Sequence, residues 1–191
     1  MAGKQAKILT AGQLELTMRL AGRGRHAARN RLMILLSVKA GLRAGEIAKL
    51  TWPMALTADG QVGDRIELHD VAAKKCSGRT IPMHPDLRQA LIRLRRRGQT
   101  TGHIILSERG GPMRSSSVVN WFRALYHRLG FEGCSSHSGR RTFITRAARY
   151  VFRAGGSLRD VQQLAGHRSI DQTQSYIEGD TAAKRRLVAL I

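Results

Sequence analysis

Residues 65–83 read RIELHDVAAKKCSGRTIPM, and this stretch decides the fold class. Residues 65–71 alternate apolar and polar side chains, a pattern that predicts a β-strand. The pair Ser77-Gly78 supplies turn chemistry, and RTIPM at residues 79–83 predicts the return strand. We therefore expect a β-hairpin at this point in the chain.

Helical patterns precede the hairpin. Residues 11–22 predict a helix with Thr10 as its N-cap. RLMILLSVKAG at residues 31–41 is apolar enough to predict a buried helix that ends near Gly41. RAGEIAKLTW at residues 43–52 predicts a short amphipathic helix. The chain before the hairpin is therefore expected to be entirely helical.

Helical patterns also follow the hairpin. Pro85 and Asp86 open a helix over residues 86–97, and HIILS at residues 103–107 fits a short strand. Further helices are predicted over residues 116–130, 140–156, 157–167 and 171–179, with an amphipathic tail helix over residues 180–191. Because no internal repeat or linker divides the chain, we expect one domain over residues 1–191. The predicted fold is mainly α with a small antiparallel β-hairpin, in the α+β class.

Charge is the unusual property of the composition. The chain has 33 Lys and Arg against 13 Asp and Glu, a formal net charge of +20. A compact domain this basic repels itself unless its partner is a polyanion, and nucleic acid is the usual one. Composition alone also allows a merely basic surface, or a ribosomal or chromatin-like binder.

Cysteine usage and the N-terminus favour a cytoplasmic setting. Cys76 and Cys134 lie far apart, which does not suggest a disulfide framework. Residues 1–16 lack the continuous apolar core of a signal peptide, and no stretch approaches the length of a membrane span. We expect no membrane partner.

Several common chemistries have no motif in this sequence. It contains no GxxxxGK[ST] loop, no cysteine pairs at zinc spacing, no HExxH and no acidic cluster suited to Mg²⁺. Phosphate chemistry would therefore depend on the protein's own cations, and we expect no metal and no cofactor. The side chains with suitable chemistry are, in chain order, Arg43, Lys74, His137, Arg140, His167 and Tyr176.

Together these six residues resemble the tyrosine recombinase and phage integrase family. That family has an Arg in a G[LF]RxxE[IL] helix, and GLRAGEIAKL places Arg43 there. The HxxR pair of the family matches His137 and Arg140, within SSHSGRRTF. LAGH resembles the family's L[LM]GH and contains His167, and Tyr176 follows nine residues later, as in the family. The resemblance runs from about residue 10 to the C-terminus.

The hairpin also fits the family pattern. Lys74 lies eight residues before Pro82 and five before Arg79, as the family's hairpin Lys does, and Lys75 is the nearest rival. Gly139 and Arg141 depart from the pattern, because Leu and His are commoner there. The largest departure is at the front, where we expect no separate N-terminal core-binding domain of the kind most integrases have. In this respect the chain resembles the short single-domain members or an expressed catalytic fragment.

The resemblance implies a transesterification on DNA. Tyr176 would attack a phosphodiester and become linked to the 3′ phosphate. Arg43 and Arg140 would hold the non-bridging oxygens, and Lys74 would protonate the leaving 5′ oxygen. His137 or His167 would help to remove the phenolic proton while the other donates to the phosphate. We favour His137 as the first and His167 as the second, although this division stays open.

The resemblance implies double-stranded DNA as the partner and a homotetramer on that DNA. Integration, excision and inversion are equally compatible with the motifs. Flanking backbone phosphates would be neutralised by Arg23, Arg25, Arg29, Arg31 and the RLRRR run at residues 93–97, for which a solvated face is an equal alternative. A type IB topoisomerase and a non-catalytic DNA-binding regulator remain alternatives for the whole protein. The tail over residues 180–191 packs either on its own domain or on a neighbouring protomer.

Overall fold

A computed structural model describes residues 5–73, 77–96, 98, 100–176 and 188–189. Its helices are α1 (Ala11–Ala21), α2 (Ala27–Lys39), α3 (Ala44–Lys49), α4 (Pro85–Arg95), α5 (Ser115–Arg128), α6 (Ser138–Tyr150), α7 (Leu158–Ala165) and α8 (Ile170–Gln174). Two strands, β1 (Arg65–Leu68) and β2 (Arg79–Pro82), pair antiparallel with Ile66 opposite Ile81. The mainly helical fold with one β-hairpin is therefore confirmed.

Several boundaries differ from the sequence prediction. Strand β1 ends at Leu68 because the backbone turns immediately afterwards, with the amide of Ala73 donating to the carbonyl of His69. The strand predicted at 103–107 is wrong: residues His103 and Leu106 form only isolated bridges, to Thr51 and Pro112. Backbone pairing in that region is too short to make a strand.

The helix predicted over residues 140–156 also divides in two. Helix α6 ends at Tyr150, and a 3₁₀ turn over Phe152–Ala154 follows, closed by Gly155 in the left-handed conformation. Most of the tail predicted over residues 180–191 lies outside the described residues.

Helix α2 forms the centre of the molecule. Every residue from Leu32 to Val38 is buried, and α2 packs against α1, α4 and α6. Helix α3 packs against α5, where Trp52, Phe122 and Tyr126 fill the core. Among the described residues, no helix has both the length and the apolar character needed to cross a membrane.

A second, smaller core lies between α6 and α7. Ile144, Ala148, Val161 and Ala165 are buried there, and the ring of Tyr176 packs against this cluster. The turn after α2, the start of α6 and the loop between α7 and α8 consequently meet. Together with the residues just after α8, these segments contain five of the six residues singled out in the sequence.

Candidate active site

Arg43 is positioned by the start of α3. It is the N-cap residue, and its backbone amide donates to Oε2 of Glu46 at 2.9 Å. Its Nη1 donates to Oε1 of the same carboxylate at 2.8 Å. The side chain of Arg43 is 22% exposed, so its guanidinium is oriented by Glu46 and still reaches the surface. The RxxE spacing seen in the sequence is thus the spacing of a helix cap.

Arg79 holds the opposite side of Glu46. Its Nη1 and Nη2 lie 3.2 and 3.1 Å from the two carboxylate oxygens, and its Nε donates to the carbonyl of Leu164 at 2.9 Å. Burial raises the pKa of Glu46, but hydrogen bonds and charge from Arg79, then Arg43, more than offset this, and the pKa lies below its ordinary value. Glu46 is therefore an anion that organises two guanidinium groups.

Arg140 is almost fully buried, at 3% exposure. Its Nη1 donates to the carbonyl of Gly41 at 2.6 Å, and its Nη2 donates to the carbonyl of Ala165 at 2.7 Å. Burial lowers the pKa of Arg140 to about 10, and the charge of Arg43 adds to this effect. The side chain stays cationic at neutral pH and joins the turn after α2 to the end of α7.

The turn at Gly41 lets Arg140 come this close. Gly41 has a φ of +65°, and a Cβ there would overlap the ring of Phe143 on α6. Only glycine combines this left-handed conformation with the space that the ring requires. The carbonyl that Arg140 contacts is therefore fixed by a backbone position that no other residue suits.

His167 follows the left-handed Gly166 that ends α7. Its backbone carbonyl accepts from Nε2 of Gln162 at 3.0 Å, and its Nδ1 lies 2.9 Å from Oγ1 of Thr173. Burial lowers the pKa of His167 to about 4, helped by the charges of Arg140, Arg43 and Arg79. The imidazole is therefore neutral at pH 7.

Tyr176 lies just after α8, against His167. The two rings are stacked, with centroids 5.5 Å apart and planes 23° apart. The phenol also lies close enough to Arg140 for its charge to act on the pKa of that guanidinium. A cavity of about 160 Å³ is lined by Tyr176, His137, Arg140, Arg141 and Ser175, together with residues 5–6.

His137 is exposed at the N-cap position of α6. Its backbone amide donates to Oγ of Ser135 at 3.2 Å, which fixes the turn that leads into the helix. His137 shares the cavity with Arg140 and Tyr176. Five candidate residues thus converge, whereas Lys74 and its rival Lys75 lie outside the described residues.

The two departures from the family pattern have local explanations. A Cβ on Gly139 would overlap the side chain of Ser37 and crowd that of Val38, so α6 lies directly against α2. Arg141 donates from Nη1 to the carbonyl of Ala6 at 3.0 Å, which ties the segment before α1 to the wall of the cavity. Neither residue disturbs the position of Arg140.

Several of the other basic residues are exposed, and some of them contact the protein. Arg23, Arg25, Arg31, Arg93 and Arg96 are exposed, Nε of Arg31 lies 3.4 Å from the carbonyl of Met18, and Arg97 lies outside the described residues. Arg29 donates to the carbonyl of Leu106 at 3.0 Å, and Arg95 lies over the ring of Trp52, 6.0 Å from its centroid. These two arginines therefore have structural contacts of their own.

The site places an excess of positive charge beside the phenol of Tyr176. Arg43 and Arg79 both pair with one carboxylate, Glu46, and Arg140 lies close enough for these charges to act on its pKa, so positive charge is in excess. Such a site favours a phosphodiester and stabilises the negative charge that develops when it is attacked. Among the described residues, no group of three His, Cys, Asp or Glu could hold a metal ion.

Sequence reasoning did not count Glu46, Arg79 or Thr173 as site residues. A signal existed for the first two, because Glu46 follows Arg43 by three residues and Arg79 fits the hairpin spacing. Thr173 gave no such signal, since its role depends on a contact between α8 and the preceding loop.

The sequence matches the model of the phage integrase family over residues 7–182. The tyrosine recombinase XerC of Brucella melitensis biotype 1 is 26% identical over 160 residues, which cover 81% of this chain and 48% of that protein. The chain thus spans about half the length of this curated relative.

Solved structures share the fold. The Tn1549 transposon integrase in complex with a circular intermediate DNA superposes with a TM-score of 0.75 at 19% identity, covering 100% of this chain and 67% of the other. XerA recombinase superposes with a TM-score of 0.73 at 20% identity, covering 100% and 65%. The fold is therefore the one found in the catalytic region of tyrosine recombinases.

Proposed function

Because this chain belongs to the phage integrase family, we propose that it is a site-specific DNA recombinase that cuts and rejoins strands through a covalent link to Tyr176. The observation that carries the proposal is the stacking of Tyr176 on His167, beside the buried Arg140 and in one cavity with His137. A phenol has an ordinary pKa of about 10, so it needs cations and a proton acceptor nearby to act as a nucleophile.

The proposed reaction is a transesterification at phosphorus. The Tyr176 oxygen bonds to phosphorus, the bond from phosphorus to the 5′ oxygen breaks, and the 3′ phosphate stays on the protein. The phenolic proton passes to His137, and Lys74 supplies a proton to the 5′ oxygen. A 5′ hydroxyl from a second strand then reverses the step, which conserves the energy of the broken bond without a metal or ATP.

Arg43 and Arg140 hold the non-bridging oxygens in this proposal. Both guanidinium groups are oriented by bonds to other protein atoms, so little reorganisation is needed when charge develops on the phosphate. Neutral His167 donates one hydrogen bond to the same phosphate. The site as a whole acts through fixed positive charge.

The partner in this proposal is double-stranded DNA, on which a homotetramer assembles so that two duplexes exchange strands. Excess positive charge over the whole chain supports such a partner. An enzyme that acts on DNA must share a compartment with it, so this proposal places the protein in the cytoplasm.

A covalent-capture experiment tests the proposal. Duplexes are first selected for binding from a random pool, then remade with a nick close to the bound site, so that cleavage releases a short fragment and traps the adduct. With wild-type protein, the DNA should shift to a heavier band that protease treatment removes. With Tyr176→Phe, the DNA should not shift. Tyr150→Phe, an exposed tyrosine on α6, is the matched control and should still form the adduct.

Other outcomes point to other functions. Relaxation of supercoiled plasmid at no preferred sequence, lost in Tyr176→Phe, would favour a type IB topoisomerase. Tight DNA binding with no adduct from any substrate would overturn the catalytic proposal and leave a DNA-binding regulator.

A further inference from the structure

We infer that Thr173 is a positioning residue that holds the His167 imidazole in the tautomer protonated on Nε2. The inference rests on the proposed function, in which His167 donates a hydrogen bond to the scissile phosphate. It adds a hydroxyl group to the site, one turn before the nucleophile.

The contact identifies which ring nitrogen is engaged. Oγ1 of Thr173 lies 2.9 Å from Nδ1 of His167, and Thr173 is fully buried, at 0% exposure. Thr173 is also linked to Tyr176, whose ring stacks on His167, because the backbone amide of Tyr176 donates to the carbonyl of Thr173 at 3.1 Å. Nε2 is therefore the ring nitrogen that is left to contact a ligand.

The direction of this hydrogen bond follows from the needs of a buried hydroxyl. Leaving a buried O–H without an acceptor costs about 1–3 kcal/mol. The buried hydroxyls of Thr17 and Thr142 each donate to the carbonyl four residues earlier. Among the described residues, Nδ1 of His167 is the acceptor within reach of the Thr173 hydroxyl. Thr173 therefore donates, Nδ1 carries the lone pair, and the ring proton lies on Nε2.

The position of that one proton decides what His167 can do. Burial, and then the charges of Arg140, Arg43 and Arg79, keep the pKa of the ring at about 4, so it carries a single N–H at neutral pH. With the proton on Nε2, the ring donates to a phosphate oxygen. With the proton on Nδ1, it would present a lone pair to that oxygen and repel it.

The tautomer can be read by NMR without DNA. Protein labelled with ¹⁵N-histidine is recorded at pH 7 in a long-range ¹H–¹⁵N correlation, and the His167 signals are assigned by their loss in His167→Gln. Wild-type protein and Thr173→Ser should show the Nε2-protonated pattern. Thr173→Val, which keeps the shape and removes the hydroxyl, should show a mixture of both tautomers. Thr17→Val removes a buried hydroxyl in α1, remote from His167, and should leave the pattern unchanged.

Single-turnover cleavage supplies the second measurement. Thr173→Val should slow adduct formation by roughly 10–100-fold, by analogy with the loss of groups that orient metal-binding histidines, and Thr173→Ser should recover most of the rate. A wild-type spectrum with the proton on Nδ1, or a Thr173→Val spectrum identical to wild type, would overturn the inference. The wild-type spectrum is decisive even if Thr173→Val does not fold. Absence of an adduct in wild-type protein would instead overturn the proposed function. The two failures are distinguishable, because the NMR spectra are recorded without DNA and do not depend on cleavage.

Discussion

Arg79 and Glu46 form a buried, two-pronged ion pair in which the guanidinium nitrogens lie 3.2 and 3.1 Å from the two carboxylate oxygens. The two side chains are 6% and 1% exposed. Arg79 belongs to β2, Glu46 belongs to α3, and the third bond of Arg79 reaches the end of α7 at Leu164. One side chain thus ties the hairpin to the helix that orients Arg43 and to the segment that leads into His167.

This pair should matter to stability. Glu46→Gln removes the carboxylate charge and leaves Arg79 buried without a counter-charge, which should cost about 3–5 kcal/mol in the free energy of unfolding. Glu67→Gln is the matched control, because Glu67 pairs with Arg65 on the exposed face of β1, and its loss should have a much smaller effect. Urea unfolding measures both. Equal losses would show that the buried pair has no special role.

The same ion pair should make the stability of the fold sensitive to acid. The pKa of Glu46 lies below its ordinary value of 4.5 in the folded protein, so ionised Glu46 stabilises the fold at neutral pH. This stabilisation is present above the unfolded value and is lost as the pH falls below about 4.5 and through the folded value. Wild-type protein should lose more stability between pH 5 and pH 3 than Glu46→Gln, in thermal melts recorded at each pH. Parallel curves for the two proteins would contradict the prediction.

His167 should titrate near pH 4 rather than near its ordinary 6.5. Burial is the main cause and the charge of Arg140 the next, so Arg140→Met should raise the pKa toward the ordinary value. Arg23→Met removes an exposed cation from the loop after α1 and should leave the midpoint where it is. Histidine NMR titration gives the midpoints. A wild-type midpoint near 6.5 would contradict both the burial of His167 and the convergence of the cations on it.

Arg140→Lys should abolish most of the proposed activity. Two guanidinium nitrogens of Arg140 hold the carbonyls of Gly41 and Ala165, and one ammonium group cannot replace both and also contact a phosphate. We expect adduct formation to slow by about 10²–10³-fold, as for the loss of one oxyanion donor. Arg149→Lys, exposed on the same helix, is the control and should keep the wild-type rate. A fully active Arg140→Lys variant would exclude Arg140 from the phosphate site.

Gly139→Ala should destabilise the start of α6 by about 1–3 kcal/mol, since its Cβ would overlap Ser37 on α2. Ser37→Gly in the same protein should recover part of this loss. Gly12→Ala, in α1 with nothing within 4 Å of the added methyl, should be neutral or stabilising. Denaturant midpoints give the comparison. If Gly139→Ala matches Gly12→Ala, then α6 does not need this close approach to α2.

The sequence determined the helical framework and its one hairpin, because these depend on local patterns. Thr10 caps α1 through a reciprocal bond with Gln13, and the apolar run of α2 is buried throughout. The HxxR pair also fell at the start of a helix. Local patterns did not predict the early end of β1 or the 3₁₀ turn after α6, since both depend on turn hydrogen bonds that propensity does not determine.

The candidate residues came from the sequence through its resemblance to a family, whereas their electrostatics did not. The motifs and their spacing singled out Arg43, Arg140, His167 and Tyr176, and the structure places these residues near one another. Only the tertiary structure decided that His167 is neutral, that Glu46 is an anion held by two arginines and that Thr173 faces the imidazole. Those properties come from burial and from distances between segments far apart in the chain, and no local pattern encodes either quantity.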